Sequence, residues 1–142
     1  MKYLLDTCVL SELIKRQPNT DVVYWIKKQE ENSLYISALT LGEIEKGIQK
    51  TPDGSRKAFL KLWLENDLIN RFQGRIISID AQVSTRWGQV QGVAELKGKP
   101  MPAIDGLIAV SALVHSCIVV TRNTSDMLES QAELFDPWVN KI

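Results

Sequence analysis

Residues 104–120 read IDGLIAVSALVHSCIVV, and this stretch decides the fold. Ile104–Val114 is almost continuously apolar and too long for a strand, so it predicts a buried helix. Cys117–Val120 follows at once and is the most β-prone run of the chain. A buried helix that leads into a short buried strand is typical of α/β proteins, so this class is predicted.

The same alternation of helices and short apolar runs extends along the rest of the chain. Four further runs are predicted to be strands: Lys2–Leu5, Leu34–Ile36, Ile76–Ile79 and Leu134–Phe135. The spacing of apolar residues predicts helices within residues 9–14, 22–26, 40–49, 59–68 and 83–96. We therefore expect a three-layer α/β/α sandwich with a mostly parallel five-stranded sheet. No stretch rich in Gly, Pro or Ser marks a linker, so residues 1–142 are predicted to form a single domain.

Composition excludes several classes of protein. The chain is 44% hydrophobic and 24% charged, which argues against a disordered chain, a collagen-like repeat and a disulfide-dense miniature. Its 17 basic and 17 acidic residues leave no net charge, so a uniformly basic nucleic-acid coat is not expected, although a local basic patch is compatible. Two cysteines in apolar runs favour a reduced, cytoplasmic protein. No apolar run approaches the roughly 18 residues that cross a bilayer, so no membrane association is expected.

Polar residues follow the predicted strands, at the edge where open parallel sheets bind their ligands. Asp6 ends the first strand, Asp80 the third, and Thr121–Asn123 follows the fourth. Glu43 comes shortly after the second strand, and Asp105 lies on the first turn of the apolar helix. We expect the candidate site among these residues.

Three of these acids have a purely structural alternative. Asp6 and Asp80 could each serve only as a helix cap. Glu43 fits a capping box with Thr40, since the two are three residues apart. His115, the one histidine, fits the carboxyl end of the apolar helix better than a catalytic role.

Asp105 is harder to explain structurally because it lies in the least polar segment of the chain. A buried carboxylate needs a partner or a metal. If Asp105 lies near Asp6 and Glu43, the like charges cost several kcal/mol unless a divalent cation neutralises them. The sequence has no Cys/His cluster for structural zinc, and oxygen ligands suit Mg²⁺ or Mn²⁺. Such a site supports hydrolysis of phosphodiesters.

Five segments together resemble a known family. They are Tyr3–Glu12, Ser37–Ile48, Ala103–Ala109, Val120–Asp126 and Phe135–Trp138. In this order and spacing they resemble the motifs of PIN-domain ribonucleases. The resemblance is greatest to VapC-type toxins of bacterial toxin–antitoxin pairs, in the FitB-like branch, and it spans the whole chain.

The resemblance implies a metal-dependent endoribonuclease with an acidic pocket. Asp6, Glu43 and Asp105 match the three core acids of the family, and Asn123 matches the fourth position, which is Asp or Asn. Mg²⁺ or Mn²⁺ would be held by Asp6 and Asp105, with Glu43 and Asp126 as further candidate ligands. Asp126 also fits an ordinary surface charge.

Three neighbours of the acids are expected to position substrate or water: Thr7, Thr121 and Arg122. Cys8 replaces the Asn that the family usually carries, so a polar contact in the first loop is expected to be lost. Arg86, Lys97, Lys99 and Arg122 are candidate phosphate contacts, although each also fits an ordinary solvated charge. The resemblance further implies an RNA substrate, a cognate antitoxin that covers the pocket, and a homodimer.

Without the family resemblance, the residues are compatible with two other functions. The first is a catalytically silent module that binds RNA or protein on the same fold. The second is a phosphatase with Asp6 as the nucleophile. The phosphatase is disfavoured because the haloacid-dehalogenase type needs an acid two residues after the nucleophile, where this chain has Cys8.

Overall fold

The computed structural model describes residues 1–140, and five parallel strands form one sheet within it. The strands are β1 (Lys2–Leu5), β2 (Leu34–Ser37), β3 (Ile76–Ile77), β4 (Cys117–Val120) and β5 (Leu134–Phe135). Their order across the sheet is β3-β2-β1-β4-β5. Leu5 pairs with Val120, so β1 and β4 end side by side.

Helices connect the strands. The α-helices are α1 (Thr7–Leu13), α2 (Thr20–Lys28), α3 (Ala38–Lys50), α4 (Ser55–Leu62), α5 (Ile69–Arg71), α6 (Ala81–Leu96) and α7 (Ala103–Val114). A π-helical segment, Trp63–Leu68, joins α4 to α5 without a break. Short 3₁₀ helices cover Glu31–Ser33 and Thr124–Ser130. We call the second of these the C-terminal 3₁₀ helix.

Strand order places a topological switch point at β1. The chain adds β2 and β3 on one side of β1, then crosses to add β4 and β5 on the other side. The connections that leave β1 and β4 therefore diverge and open a crevice between the carboxyl ends of these two strands. Ligands of open α/β sheets bind at such a crevice.

Apolar side chains fill both faces of the sheet. Leu5 and Val120 point to the face that is covered by the first five helices, whereas Leu4 and Val119 point to the opposite face. On that second face α7 packs directly on the strands through Ile108, and α6 packs against α7. The three-layer α/β/α sandwich with a five-stranded sheet is confirmed, and the sheet is parallel throughout.

Several predicted boundaries shift by one to two residues. The strand predicted at Ile76–Ile79 pairs only at Ile76–Ile77, because the chain turns away toward the helix cap at Asp80. The helix predicted to begin at Thr40 begins at Ala38 instead. Within residues 1–140, no helix combines the length and apolar character needed to cross a bilayer.

Candidate active site

Asp6 lies at the switch point, directly after β1, and is 2% exposed. Its backbone N–H donates to the carbonyl of Val120, so the residue is tied to the end of β4. Oδ1 accepts the N–H of Thr7 at 2.8 Å, and Oδ2 accepts the hydroxyl of Thr121 at 2.8 Å. Asp6 is therefore both the cap of α1, as one alternative predicted, and a member of the polar site.

Burial is the main reason that the pKa of Asp6 is raised, and the negative charge of Glu43 adds to the effect. The hydrogen bonds from Thr121, Thr7 and Cys8 act in the opposite direction because they favour the carboxylate. Asp6 thus lies in a low-dielectric position where its carboxylate depends on these three donors to remain ionised.

Thr121 and Cys8 join the loops that follow β1 and β4. The Thr121 hydroxyl is fully buried, and its oxygen accepts the N–H of Asn123 at 2.9 Å while its proton goes to Asp6. The Cys8 thiol lies 3.7 Å from Asp6 Oδ2 and accepts the N–H of Arg122 at 3.5 Å. Burial raises the pKa of this thiol to about 11, so it is a neutral donor at pH 7. The expected loss of a polar contact at Cys8 is therefore wrong, because the thiol contacts both Asp6 and Arg122, and together with Thr121 it holds Asp6 in place.

Glu43 enters the site from α3 through a hydroxyl contact. Thr7 Oγ1 lies 2.6 Å from Glu43 Oε1 and 3.2 Å from Thr40 Oγ1. Thr7 has one hydroxyl proton, and the shorter, charge-assisted bond assigns it to Glu43. This contact links α1 to α3 beside Asp6.

The capping box of Thr40 and Glu43 is wrong. Ser37 is the N-cap of α3, and its hydroxyl accepts the N–H of Leu39 at 3.1 Å. Ser37 has an extended backbone (φ −87°, ψ 146°) as the last residue of β2, so the helix starts at Ala38, two residues before Thr40. Thr40 is instead fully buried against Thr7. Glu43 therefore has no capping role that would explain its presence.

Asp105 lies on the first turn of α7, where it is half-buried. Its pKa is raised to about 6, first by burial and then by the charges of Asp6, Glu43 and Asp126, in that order. The three other acids are thus near enough for their charges to be felt at Asp105. An acid cluster formed from four chain segments is the main electrostatic feature of this crevice.

The remaining predicted residues surround this cluster. Asn123 and Asp126 are exposed at the start of the C-terminal 3₁₀ helix, and the Asn123 side chain makes no capping hydrogen bond. The Arg122 guanidinium lies over the indole of Trp138, 4.7 Å from the ring centroid. Asp80 caps α6 by accepting the N–H of Val83, and His115 ends α7, both as their structural alternatives predicted.

A divalent cation in this crevice would need oxygen donors that converge on one point. Within residues 1–140, no group of three or more His, Cys, Asp and Glu side chains is arranged to hold a metal ion. Mg²⁺ commonly binds through one or two carboxylates and completes its shell with water and substrate phosphate. Asp6 and Asp105 supply carboxylates of this type, and the repulsion from neighbouring acids that adds to the raised pKa of each would be relieved by a cation. The residues therefore fit a magnesium-type ion that is shared with a phosphate.

Two contacts of the site were not predicted. Thr40 lies inside the second motif, but its hydroxyl fitted a cap equally well, so the pattern could not assign it to Thr7. Trp138 lies in the last motif, 16 residues after Arg122, and no local spacing indicates that the two side chains stack.

Comparisons with known proteins agree with this geometry. The chain matches the family model described as PIN domain over residues 3–130. It is 36% identical over 135 residues to Toxin FitB of Neisseria gonorrhoeae, a match that covers 95% of this chain and 97% of that protein. It is 33% identical over 135 residues to VapC ribonuclease Y4jK of Sinorhizobium fredii, covering 95% of this chain and 96% of that protein.

Among solved structures, the chain resembles that of FitAB bound to an IR36 DNA fragment. The TM-score is 0.92 at 34% sequence identity, and the match covers 99% of this chain and 98% of that chain. The family resemblance that the five segments indicate is thereby confirmed. This chain belongs to the PIN-domain family.

Proposed function

We propose that this chain is a metal-dependent endoribonuclease that hydrolyses RNA phosphodiester bonds and acts as the toxin of a toxin–antitoxin pair. The observation that carries the proposal is the convergence of Asp6, Glu43 and Asp126 on Asp105 at the switch point, where burial and then the charges of these acids raise the pKa of Asp105 to about 6. Four acids in one crevice are costly for a folded protein unless the site binds positive charge. Relatives that are named as a toxin and as a ribonuclease support the same activity.

Asp6, Glu43, Asp105 and Asn123 are the proposed catalytic residues. Asp6 and Asp105 would hold Mg²⁺ or Mn²⁺, with Glu43 and Asp126 as further candidate ligands. When bound, the ion would supply positive charge that neutralises the acids and stabilises negative charge that develops on the phosphate.

Glu43 is the proposed general base. Thr7 donates to Oε1, which fixes the direction of the carboxylate and leaves Oε2 to accept a proton from water. Asn123, exposed at the rim, carries an amide that would orient this water or the phosphate. Thr7 and Thr121 act as positioning residues, because the first holds Glu43 and the second holds Asp6.

Arg122 is the proposed phosphate contact beside the acids. Its backbone N–H is fixed by Cys8, and its guanidinium is held over Trp138. An arginine that is ordered in this way loses less freedom when it binds a phosphate. We further propose a cytoplasmic location, since both cysteines are free. A cognate antitoxin and a homodimer complete the proposal, as the family resemblance implies.

The experiment is cleavage of single-stranded RNA by the purified chain with Mg²⁺, with Mn²⁺ and with EDTA. Internal cleavage that needs the metal and is lost in Asp105→Asn supports the proposal. A silent binding module would bind RNA without cutting it. A phosphatase would release phosphate from a phosphomonoester and leave internal RNA bonds intact. Either of these results would contradict the proposal.

A further inference from the structure

A groove lies between α6 and the C-terminal 3₁₀ helix, outside the acid cluster. Its cavity volume is about 330 Å³, and its lining includes Arg86 and Gln89 from α6, Lys97 directly after α6, and Leu128 and Gln131 from the other wall. This volume lies at the lower end of the range for small-ligand sites. We call it the α6 groove.

The α6 groove combines exposed apolar side chains with unused donors. Val93 is 52% exposed and Leu128 is 67% exposed, so each offers a bare apolar surface. Within the described part of the chain, the side chains of Arg86, Gln89 and Gln131 have no hydrogen bond or ion pair. An apolar surface beside free guanidinium and amide donors fits a flat, polar-edged ring that carries an anionic group.

One ion pair crosses the α6 groove. Lys97 Nζ lies 3.3 Å from Glu129 Oε1, and the two side chains are 59% and 25% exposed. Exposed ion pairs of this kind contribute little to stability. Lys97 can therefore turn to an arriving phosphate at small cost, and Glu129 is then free to accept an amino group of a base.

The C-terminal 3₁₀ helix connects the α6 groove to the acid cluster. Asp126, whose charge acts on Asp105, lies on this helix together with Leu128 and Glu129. Asp126 and Glu129 are one 3₁₀ turn apart, a rise of about 6 Å. A chain that crosses the acids at Asp126 can thus continue into the α6 groove.

We infer that the α6 groove is a nucleotide subsite that binds the part of a single-stranded RNA next to the cleaved bond. The inference rests on the proposed function. The base lies on Leu128 and Val93, and the amides of Gln89 and Gln131 contact its edge. Arg86 and Lys97, roughly 16 Å apart along the helix axis, bind phosphates on either side of this nucleotide. Since the active-site acids carry no information about the base, this groove would contribute the sequence preference.

The test measures binding and cleavage separately. The binding measurement uses the Asp105→Asn variant, because it is expected not to cleave RNA. The probe is a fluorescein-labelled single-stranded oligoribonucleotide of mixed sequence, and its affinity is measured by fluorescence anisotropy over a range of salt concentrations. Introducing Arg86→Ala into the Asp105→Asn protein is expected to weaken binding. It should also reduce the magnitude of the slope of log affinity against log salt concentration by about 0.7, the value for one lost phosphate contact. Adding Arg56→Ala, on α4 and outside the groove, is the matched control and is expected to leave the slope unchanged.

Gln89→Ala tests the readout of the base. In the cleaving protein it is expected to change the base preference near the cut in a randomised RNA pool, with the salt slope unchanged. Both Arg86 and Gln89 are exposed, and a melting curve checks that each variant is folded.

Two results would overturn the inference. If Arg86→Ala binds RNA as Arg56→Ala does, the groove does not bind phosphate. If Leu128→Glu dissociates a dimer while RNA affinity stays the same, the groove is an interface between copies of the chain. Failure of the unmodified chain to cleave RNA counts against the proposed function alone, because the binding arm does not depend on cleavage.

Discussion

Thr7 donates its hydroxyl proton to Glu43 across 2.6 Å, and this bond joins the start of α1 to the second turn of α3. The two residues are 36 positions apart in the chain. They meet because β1 and β2 are parallel neighbours whose carboxyl ends lie at the same edge of the sheet. Residue 7 thereby sets the direction of the proposed general base.

Thr7→Val is expected to lower cleavage, because it keeps the shape of the side chain and removes the proton donated to Glu43. A hydrogen bond to a charged group contributes about 1.5–3 kcal/mol, so a loss of roughly tenfold to a hundredfold in kcat is expected. Thr7→Ser keeps the hydroxyl and should retain most of the activity. Single-turnover cleavage of RNA compares the two variants, and equal activities would show that the hydroxyl is dispensable.

Asp105 is expected to make the metal-free protein less stable as the pH rises. Its pKa is raised from the ordinary 3.8 to about 6 in the folded chain, so the folded state binds more protons between these values. The contribution of this group to the free energy of unfolding therefore falls between about pH 4 and pH 6. Above pH 6 the destabilisation caused by ionised Asp105 is fully present.

Asp105→Asn cannot ionise and should escape this penalty. The free energy of unfolding of Asp105→Asn should exceed that of the unchanged chain by the least near pH 4 and by the most above pH 6. Denaturant unfolding in EDTA measures this difference. Asp53→Asn is the matched control, since the Asp53 side chain is 99% exposed. A stability difference that does not vary with pH would contradict the electrostatic coupling of the acid cluster.

Mg²⁺ and Mn²⁺ should each raise the melting temperature. An ion that binds only the folded state stabilises it by about 2.7 kcal/mol at a concentration 100 times its Kd. Asp6→Asn should remove most of this shift while it keeps the oxygen that caps α1, and Asp53→Asn should leave the shift intact. The measurement is thermal unfolding over a titration of each ion. If Asp6→Asn responds to the metal as the unchanged chain does, Asp6 is not a ligand.

Local pattern was sufficient to predict most of the fold. The apolar runs at Lys2–Leu5 and Cys117–Val120 predicted buried parallel strands, because strands covered on both faces are continuously apolar. The acids that follow or face these strands could be predicted as site residues as well. Parallel strands have their carboxyl ends at the same edge of the sheet, so these acids are brought to that edge. Asp105 in addition is conspicuous as a charge in an apolar helix.

Other features depend on contacts that local pattern does not contain. The hydroxyls of Ser37 and Thr40 both precede an apolar helical run, and only the extended backbone at the end of β2 decides that Ser37 is the cap. The helix predicted over 59–68 contains a π segment from Trp63, whose buried residues Leu64 and Leu68 are four apart, a spacing that an α-helix also gives. The stacking of Arg122 on Trp138 depends on the path of the chain after β5.

Two glycines in helix interiors should respond differently to alanine. At Gly92 in α6 a Cβ meets nothing within 4 Å, so Gly92→Ala should stabilise the protein by about 1 kcal/mol. At Gly106, beside Asp105, a Cβ would lie 3.2 Å from Trp87 Nε1 and 3.3 Å from Met101 Cε. Crowding at Gly106 should therefore cancel the stabilisation expected of a Gly-to-Ala change, or destabilise the protein by about 1 kcal/mol. Denaturant unfolding of both variants checks this, and equal stabilisation would show that α7 can move away from Trp87.

Glu43→Gln separates catalysis from structure in the acid cluster. Gln keeps an oxygen that can accept the Thr7 hydroxyl, so the variant should fold nearly as well as the unchanged chain. It has no negative charge and cannot accept a proton from water, so cleavage should fall by at least roughly a hundredfold, the usual scale for a general base.

Ser37→Ala is the matched comparison, because Ser37 is the residue that caps the helix carrying Glu43. It should lose about 1 kcal/mol of stability, and most of the activity should remain. Melting curves and single-turnover cleavage of both variants are sufficient for the comparison. If Glu43→Gln and Ser37→Ala both lose stability and both keep their activity, Glu43 serves only to hold α3 against Thr7. The site would then consist of Asp6, Asp105 and the C-terminal 3₁₀ helix.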